Sequence, residues 1–236
     1  MKGFYLLVAV LVIFSCKQET HIKEVSMKED VYFLADDSQE GRETGSEKER
    51  QSADYLADRF KNLGLKPKGV NGYLQPFIFK PKTNPHEEAT YVINKEDSTI
   101  TGLNVLAYIN NKVENTIIIG AHYDHLGFGS EGSLFRGDQP EIHNGADDNA
   151  SGVAVMMNLA SRLKYNNTNN NYLFIAFSGE EMGLLGSNYF VKNPTIDTKK
   201  VNYMINMDMV GRLKDDKTLA VYGVGTSPKF KQTLFA

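Results

Sequence analysis

Residues 116–127 read TIIIGAHYDHLG. Thr116 to Ile119 is an unbroken β-branched run, which suits a strand covered on both faces better than one with a wet side. Gly120 and Ala121 follow it, and then His122 and Asp124. Two later stretches share this design: Tyr172 to Phe177 leads into Ser178-Gly179-Glu180-Glu181, and Val201 to Met207 leads into Asp208. Val153, Val155, Met156, Leu159 and Leu163 recur at helical spacing, predicting a helix from about Ser151 to Lys164, and Gly183 to Lys192 reads as another. Strands alternating with helices predict an α/β fold: a three-layer sandwich, with a mostly parallel central sheet and helices on both faces. Such sheets bind ligands beyond the C-terminal ends of their strands. His122, Glu180, Glu181 and Asp208 all fall there.

Ser26 to Leu34 carries a weak helical pattern, and Asp36 to Gly45 (DDSQEGRETG) reads as loop. A helix is expected from Ser46, with Ala53, Leu56, Phe60 and Leu63 on its apolar face. Gly64 ends it, and Pro67 prevents continuation. Tyr73 to Phe79 and Asn104 to Ile109 read as strands, Lys80 to Glu88 as loop, and Tyr165 to Asn171 as a polar turn. Near the end, Thr218 to Val221 reads as strand and Ser227 to Phe235 as helix.

The chain has 236 residues, 41% hydrophobic and 23% charged, with a formal net charge of −3. That is the composition of a globular protein. No basic surplus exists to neutralise phosphates, which argues against nucleic acid as partner. A single cysteine excludes an internal disulfide framework and a Cys-rich zinc finger. Lys2 followed by the apolar run Phe4 to Phe14 is too short to span a membrane, which takes about 20 residues, and fits a signal-peptide core. Ile13-Phe14-Ser15-Cys16 resembles a bacterial lipoprotein cleavage box. Residues 1–15 are therefore expected to be a signal peptide and 16–25 a tether. Export, and anchoring to the bacterial cell envelope through lipid on Cys16, follow from that reading.

Chemistry concentrates in four stretches: GAHYDHLG (Gly120 to Gly127), HNGADDNASG (His143 to Gly152), SGEEMGLLGS (Ser178 to Ser187) and NMDMVGR (Asn206 to Arg212). Hard oxygen ligands with a histidine suit zinc, manganese or iron rather than a thiolate-bound metal. Together these motifs resemble those of the zinc aminopeptidases of peptidase family M28. The likeness runs from about Ser26 to Arg212 and includes the GRETG loop and the GLKP turn.

The resemblance implies a metallopeptidase catalytic domain over 26–236, two zinc ions and peptide substrates. His122 is then a metal ligand, with Asp124 orienting its ring. Asp148 bridges both metals, Glu181 and Asp208 are ligands, and Glu180 is the general base. Three carboxylates and a bound hydroxide balance two divalent cations in charge. The resemblance also implies a cis peptide at Asp148–Asn149. His125, part of the same HYDH run, is a candidate for a supporting position. His143 reads as a loop histidine, His86 and His21 as exposed, Asp147 as a residue tying its own turn, and Met156-Met157 as core. Arg212 either pairs with a site carboxylate or caps the strand.

The family's fifth ligand is a histidine beyond the position of Asp208, and this chain has no histidine after His143. The expectation is a C-terminally truncated chain with sheet elements missing from one edge. Glu181 and Asp148 alone would then hold the second ion, and only weakly. Two other functions compete with the aminopeptidase. One is a glutaminyl cyclase-like transferase with one zinc; the other is an inactive binding lipoprotein.

Overall fold

Six strands form one open sheet in the computed structural model, which describes residues 26–82, 89–129, 132–165, 169–213 and 215–234. The signal peptide, the tether, Cys16, His21, His86 and most of the Lys80 to Glu88 loop lie outside the described residues. The strands are β1 (Lys66–Pro67), β2 (Leu74–Phe79), β3 (Ile100–Ile109), β4 (Thr116–His122), β5 (Asn171–Phe177) and β6 (Val201–Asn206). Five helices accompany them: α1 (Met27–Leu34), α2 (Glu47–Asn62), α3 (Gly152–Tyr165), α4 (Leu185–Lys192) and α5 (Pro228–Leu234).

The sheet runs β1-β3-β5-β4-β6, with β2 also paired to β3. It is mixed, so the parallel share is smaller than the sequence reading expected. β4 pairs parallel with β5 and β6, whereas β3 is antiparallel to β1, β2 and β5. Apolar runs alone do not encode strand direction: the short connection from β3 to β4 reverses the chain, so β3 runs antiparallel to β5, which lies between them parallel to β4.

Alternate side chains of the central strands face opposite layers, as the two-residue period of a strand demands. Val105, Ala107, Ile117, Ile119, Phe174 and Ala176 meet α1, α2 and α3. Leu106, Ile118, Leu173, Ile175 and Phe177 meet Phe190 of α4 on the other face. The chain passes from β4 through α3 to β5 and then through α4 to β6, on the far side of β4. The C-terminal end of β4 is thus a topological switch point, where the connections diverge and leave a crevice.

The ends of α1 and α2 follow from their caps. Ser26 and Ser46 accept the N–H groups of Glu29 and Glu49, satisfying donors that the first turn leaves unpaired. The predicted face of α2 is buried: Ala53, Leu56 and Phe60 are fully enclosed, each of the two larger ones contributing about 1.5–3 kcal/mol. The DDSQEGRETG stretch departs from plain loop, since Asp37–Arg42 forms a short helical segment capped by Asp36. β3 begins four residues before the predicted start, at Ile100. Thr218 to Val221 is not a strand among the described residues. β6 pairs only with β4 among them, and leaves Met204 and Ile205 exposed.

Candidate metal centre

His122 is the last residue of β4, and strand pairing with Phe177 and Gly120–Asn206 fixes the strand on both sides. Its ring is buried. The Asp124 backbone carbonyl takes Nδ1 at 3.2 Å. The nearest Asp124 carboxylate oxygen stands further off, at 3.7 Å. Nε2 is enclosed and has no hydrogen-bond partner among the described residues. Around it stand Asp148 Oδ1 at 3.1 Å, Asp208 Oδ1 at 3.6 Å and Glu180 Oε2 at 4.0 Å.

An imidazole nitrogen without a hydrogen bond, ringed by carboxylate oxygens, fits a cation. Zinc at about 2.0–2.1 Å from each tetrahedral ligand atom sets those atoms about 3.3 Å apart. The separations to Asp148 and Asp208 bracket that value. Ligand atoms of His122, Asp148 and Asp208 lie within 4.8 Å of one another. Without a cation the site holds a proton instead. Burial opposes charge on His122, but the carboxylates of Asp124, Asp148 and Asp208 outweigh it and hold its pKa up to about 12. Asp148 is lowered in turn, first by its contact with His122. Glu180 is raised, first by burial and then by the neighbouring carboxylates Asp124, Glu181 and Asp208.

Asp148 sits in the irregular turn Ala146–Ser151 that feeds α3, and its peptide to Asn149 is cis. Asn149 joins this turn to the segment after β6. Its Nδ2 donates to Met207 O at 2.9 Å, and its Oδ1 accepts Gly152 N at 3.0 Å and Met209 N at 3.3 Å. Ser151 Oγ accepts Val210 N, and Asp147 Oδ1 accepts Gly211 N. Within its own turn Asp147 O accepts Ser151 Oγ at 2.7 Å, so Asp147 ties the turn as expected and links it to the segment after β6 as well. These links bring Asp148 and Asp208 together across the β4 end. A Cβ at Gly152 would stand 2.6 Å from Met207 O and 2.4 Å from Asn149 Oδ1, so only glycine allows this approach.

Glu180 and Glu181 follow β5 in the loop before α4. Asp124, fully buried, holds that loop. Its carboxylate accepts Glu180 N at 3.2 Å, Glu181 N at 3.3 Å and Thr44 Oγ1 at 3.0 Å. The Glu181 side chain turns to His125, whose Nδ1 lies 2.6 Å from Glu181 Oε1. Ligand atoms of His125, Asp148 and Glu181 form a second group within 4.8 Å.

Sequence reasoning missed Arg42. It is fully buried, and its guanidinium donates to Tyr123 O at 2.8 Å, Asn144 O at 2.7 Å, Gly145 O at 3.1 Å and also to Leu34 O. Burial lowers its pKa to about 10, while the charges of Asp124, Asp148 and Glu181 work to raise it. The GRETG loop pointed to the segment, but nothing in it announced four carbonyl partners. Glu49 is a second such residue: it accepts Tyr123 Oη, Ser178 Oγ and the N–H groups of Gly45 and Leu103 behind the strand ends. His143 is held in its own loop, between Ser133 Oγ and Glu141 O. Arg212 is exposed, and Met156 and Met157 are core.

The family model of Peptidase family M28 matches residues 104–235, more than half of the chain. The chain belongs to Peptidase family M28. It is 32% identical over 186 residues to the alkaline phosphatase isozyme conversion protein of Escherichia coli (strain K12), covering 79% of this chain and 51% of that one. It is 34% identical over 128 residues to a probable leucine aminopeptidase of Trichophyton verrucosum, covering 52% of this chain and 32% of that one. The chain thus spans about half or less of these curated relatives. Among solved structures, a Zn-dependent exopeptidase from Parabacteroides distasonis has a TM-score of 0.59 at 21% identity, covering 80% of this chain and 63% of that one. A glutaminyl cyclase from Porphyromonas gingivalis has a TM-score of 0.54 at 20% identity, covering 79% and 60%. These two show the shared α/β fold.

Proposed function

We propose that this chain carries the centre of a zinc-dependent aminopeptidase that removes N-terminal residues from peptides. The observation that carries the reading is His122 Nε2, buried without a hydrogen bond and facing Asp148 and Asp208 at 3.1 and 3.6 Å. His122, Asp148 and Asp208 would hold one ion, and Asp148 and Glu181 a second. Bound zinc supplies Lewis acidity, polarising a carbonyl and lowering the pKa of water toward about 7.

The remaining work falls to side chains. Glu180 stands beside the three ligands without sharing their closest contacts, so its carboxylate is free to take a proton from the attacking water. The same carboxyl, within reach of the site, can return that proton to the leaving amine. Asp124 fixes where Glu180 sits by accepting its N–H. Arg42 holds the Asn144-Gly145 approach to Asp148.

The cyclase reading shares the fold. The second group of ligand atoms, around Glu181, favours two ions and hence the peptidase. A leucine-arylamide assay with zinc, run beside a glutamine-peptide cyclisation assay, tests the choice. Arylamide hydrolysis lost in Glu180→Gln supports the proposal. Cyclisation without hydrolysis overturns it, and metal binding with neither activity favours the inactive binding protein. On sequence grounds we read the chain as exported and anchored at Cys16. No helix among the described residues is long and apolar enough to cross a membrane.

A further inference from the structure

Glu180 and Glu181 lie two and three positions past Ser178, in a loop that closes on itself at Gly186. Gly186 N donates to Ser178 O at 2.9 Å and Leu185 N to Gly179 O at 2.8 Å, so the two ends form a neck. A second fastening comes from β3. Asn104 is fully buried. Its Oδ1 accepts Ser178 N at 3.1 Å, and its Nδ2 donates to Gly186 O at 2.8 Å and to Gln75 Oε1 at 3.1 Å. Those partners fix the orientation of the amide, because a peptide N–H only donates and a carbonyl only accepts.

The place of Asn104 in the sheet explains why a side chain is needed there. The β3–β5 ladder runs from Ile109–Tyr172 to Val105–Ala176, while Asn104 itself faces Gln75 of β2. Beyond that point β5 turns into the loop. A primary amide carries the donor and the acceptor of a peptide group, so Asn104 carries the fastening past the end of the ladder. A Cβ on Gly186 would collide with Asn104 Oδ1 and Ser178 O, so the neck closes only around glycine. Ser178 Oγ donates to Glu49 Oε1 at 2.5 Å. The loop thus leaves from a residue held at its N–H by Asn104, at its carbonyl by Gly186 and at its hydroxyl by Glu49.

We propose that Asn104 is a positioning residue for the reaction. It fixes the neck of the loop that brings Glu180 Oε2 to 4.0 Å from His122 Nε2, while Asp124 holds the N–H groups of Glu180 and Glu181 from the other side. It acts through the backbone of Ser178 and Gly186. This rests on the metallopeptidase reading and adds a positioning residue to it.

Asn104→Leu keeps the branched shape and removes both donor and acceptor. The first arm of the test is amide hydrogen exchange in the metal-free chain, read by NMR. Exchange at Glu180, Glu181, Leu185 and Gly186 should quicken about ten-fold or more, the weight of a lost hydrogen bond, and by more than at Ile118 and Leu173 in the central strands. Equal quickening in loop and strands is what a merely structural role gives; it overturns the proposal, as does none. The second arm is arylamide turnover at saturating zinc, for Asn104→Leu alone and joined to Glu180→Gln. A kcat about 10²-fold lower in the single variant is expected, with a smaller loss once Glu180 is gone. The same loss in both backgrounds, to within about two-fold, marks independent sites and overturns the proposal. No zinc binding and no hydrolysis by wild type overturns the metallopeptidase reading itself, while the exchange arm still decides whether Asn104 holds the loop, so the two failures are distinct. If Asn104→Leu does not fold by circular dichroism, wild type decides. Amides of Ser178, Leu185 and Gly186 protected like those of β5 are expected, and exchange at the rate of exposed loop amides overturns the assignment.

Discussion

The carboxylate of Asp124 accepts the backbone N–H of Glu180 at 3.2 Å. A residue two positions after His122 thereby sets the loop that carries both glutamates, and its nearest carboxylate oxygen stays 3.7 Å from the His122 ring. Asp124→Asn keeps the shape and loses the charge. Zinc affinity or turnover should fall about 10–100-fold, as for other partners that orient metal ligands. Competition with a chromophoric chelator reads the affinity; a wild-type value in both assays removes Asp124 from the machinery.

Glu180→Gln should leave zinc binding intact and lower turnover about 10²–10⁴-fold, the usual weight of a general base. Wild-type turnover in this variant would remove Glu180 from the machinery.

His122 carries a proton in the metal-free protein, because its pKa is held up to about 12. Zinc binding between pH 7 and 9 should therefore release a proton from this ring. Calorimetric titration in two buffers of different ionisation enthalpy counts it. The same group sets a sign for stability. Its contribution to the metal-free fold is full below its unfolded value of 6.5 and is lost as pH rises toward about 12.

Arg42→Met removes a buried guanidinium that serves four carbonyls. Acceptors stranded without water cost about 1–3 kcal/mol each, so the urea midpoint should drop markedly, by the equivalent of about 3 kcal/mol or more. A change under 1 kcal/mol would mean that solvent replaces the guanidinium, an order-of-magnitude threshold on the same scale.

Gly152→Ala places a methyl against Met207 O and Asn149 Oδ1. One of these contacts is backbone, so the α3 turn and the segment bearing Asp208 must part. Overpacking of this kind costs about 1–3 kcal/mol. Zinc affinity should fall together with thermal stability, and a loss of stability with unchanged affinity would show that the two segments move independently of the site.

Local patterning carried much of this fold. β4, β5 and α3 were legible within a residue or a few, because buried strands and amphipathic helices write their periods directly into the chain. β3 was harder. Its first half contains Gly102, which weakens a strand pattern, yet the Phe77 ring packs where a Cβ would be and the pairing with β2 continues through it. Thr218 to Val221 failed in the opposite direction: a short β-prone run forms no strand without a partner, and none pairs with it among the described residues.

The sequence by itself determined the α/β class, the crowding of His122, Glu180, Glu181 and Asp208 at strand ends, and the motif resemblance that singled out Asp148. Those follow from side-chain period and from short motifs, which are local. Tertiary structure decided what those groups touch. Arg42 reaches Gly145 across 103 positions, and His125 reaches Glu181 across 56. Only the packing of separate loops around the β4 end creates these contacts. Buried polar groups must find partners wherever the fold presents them, and no local pattern records where that is.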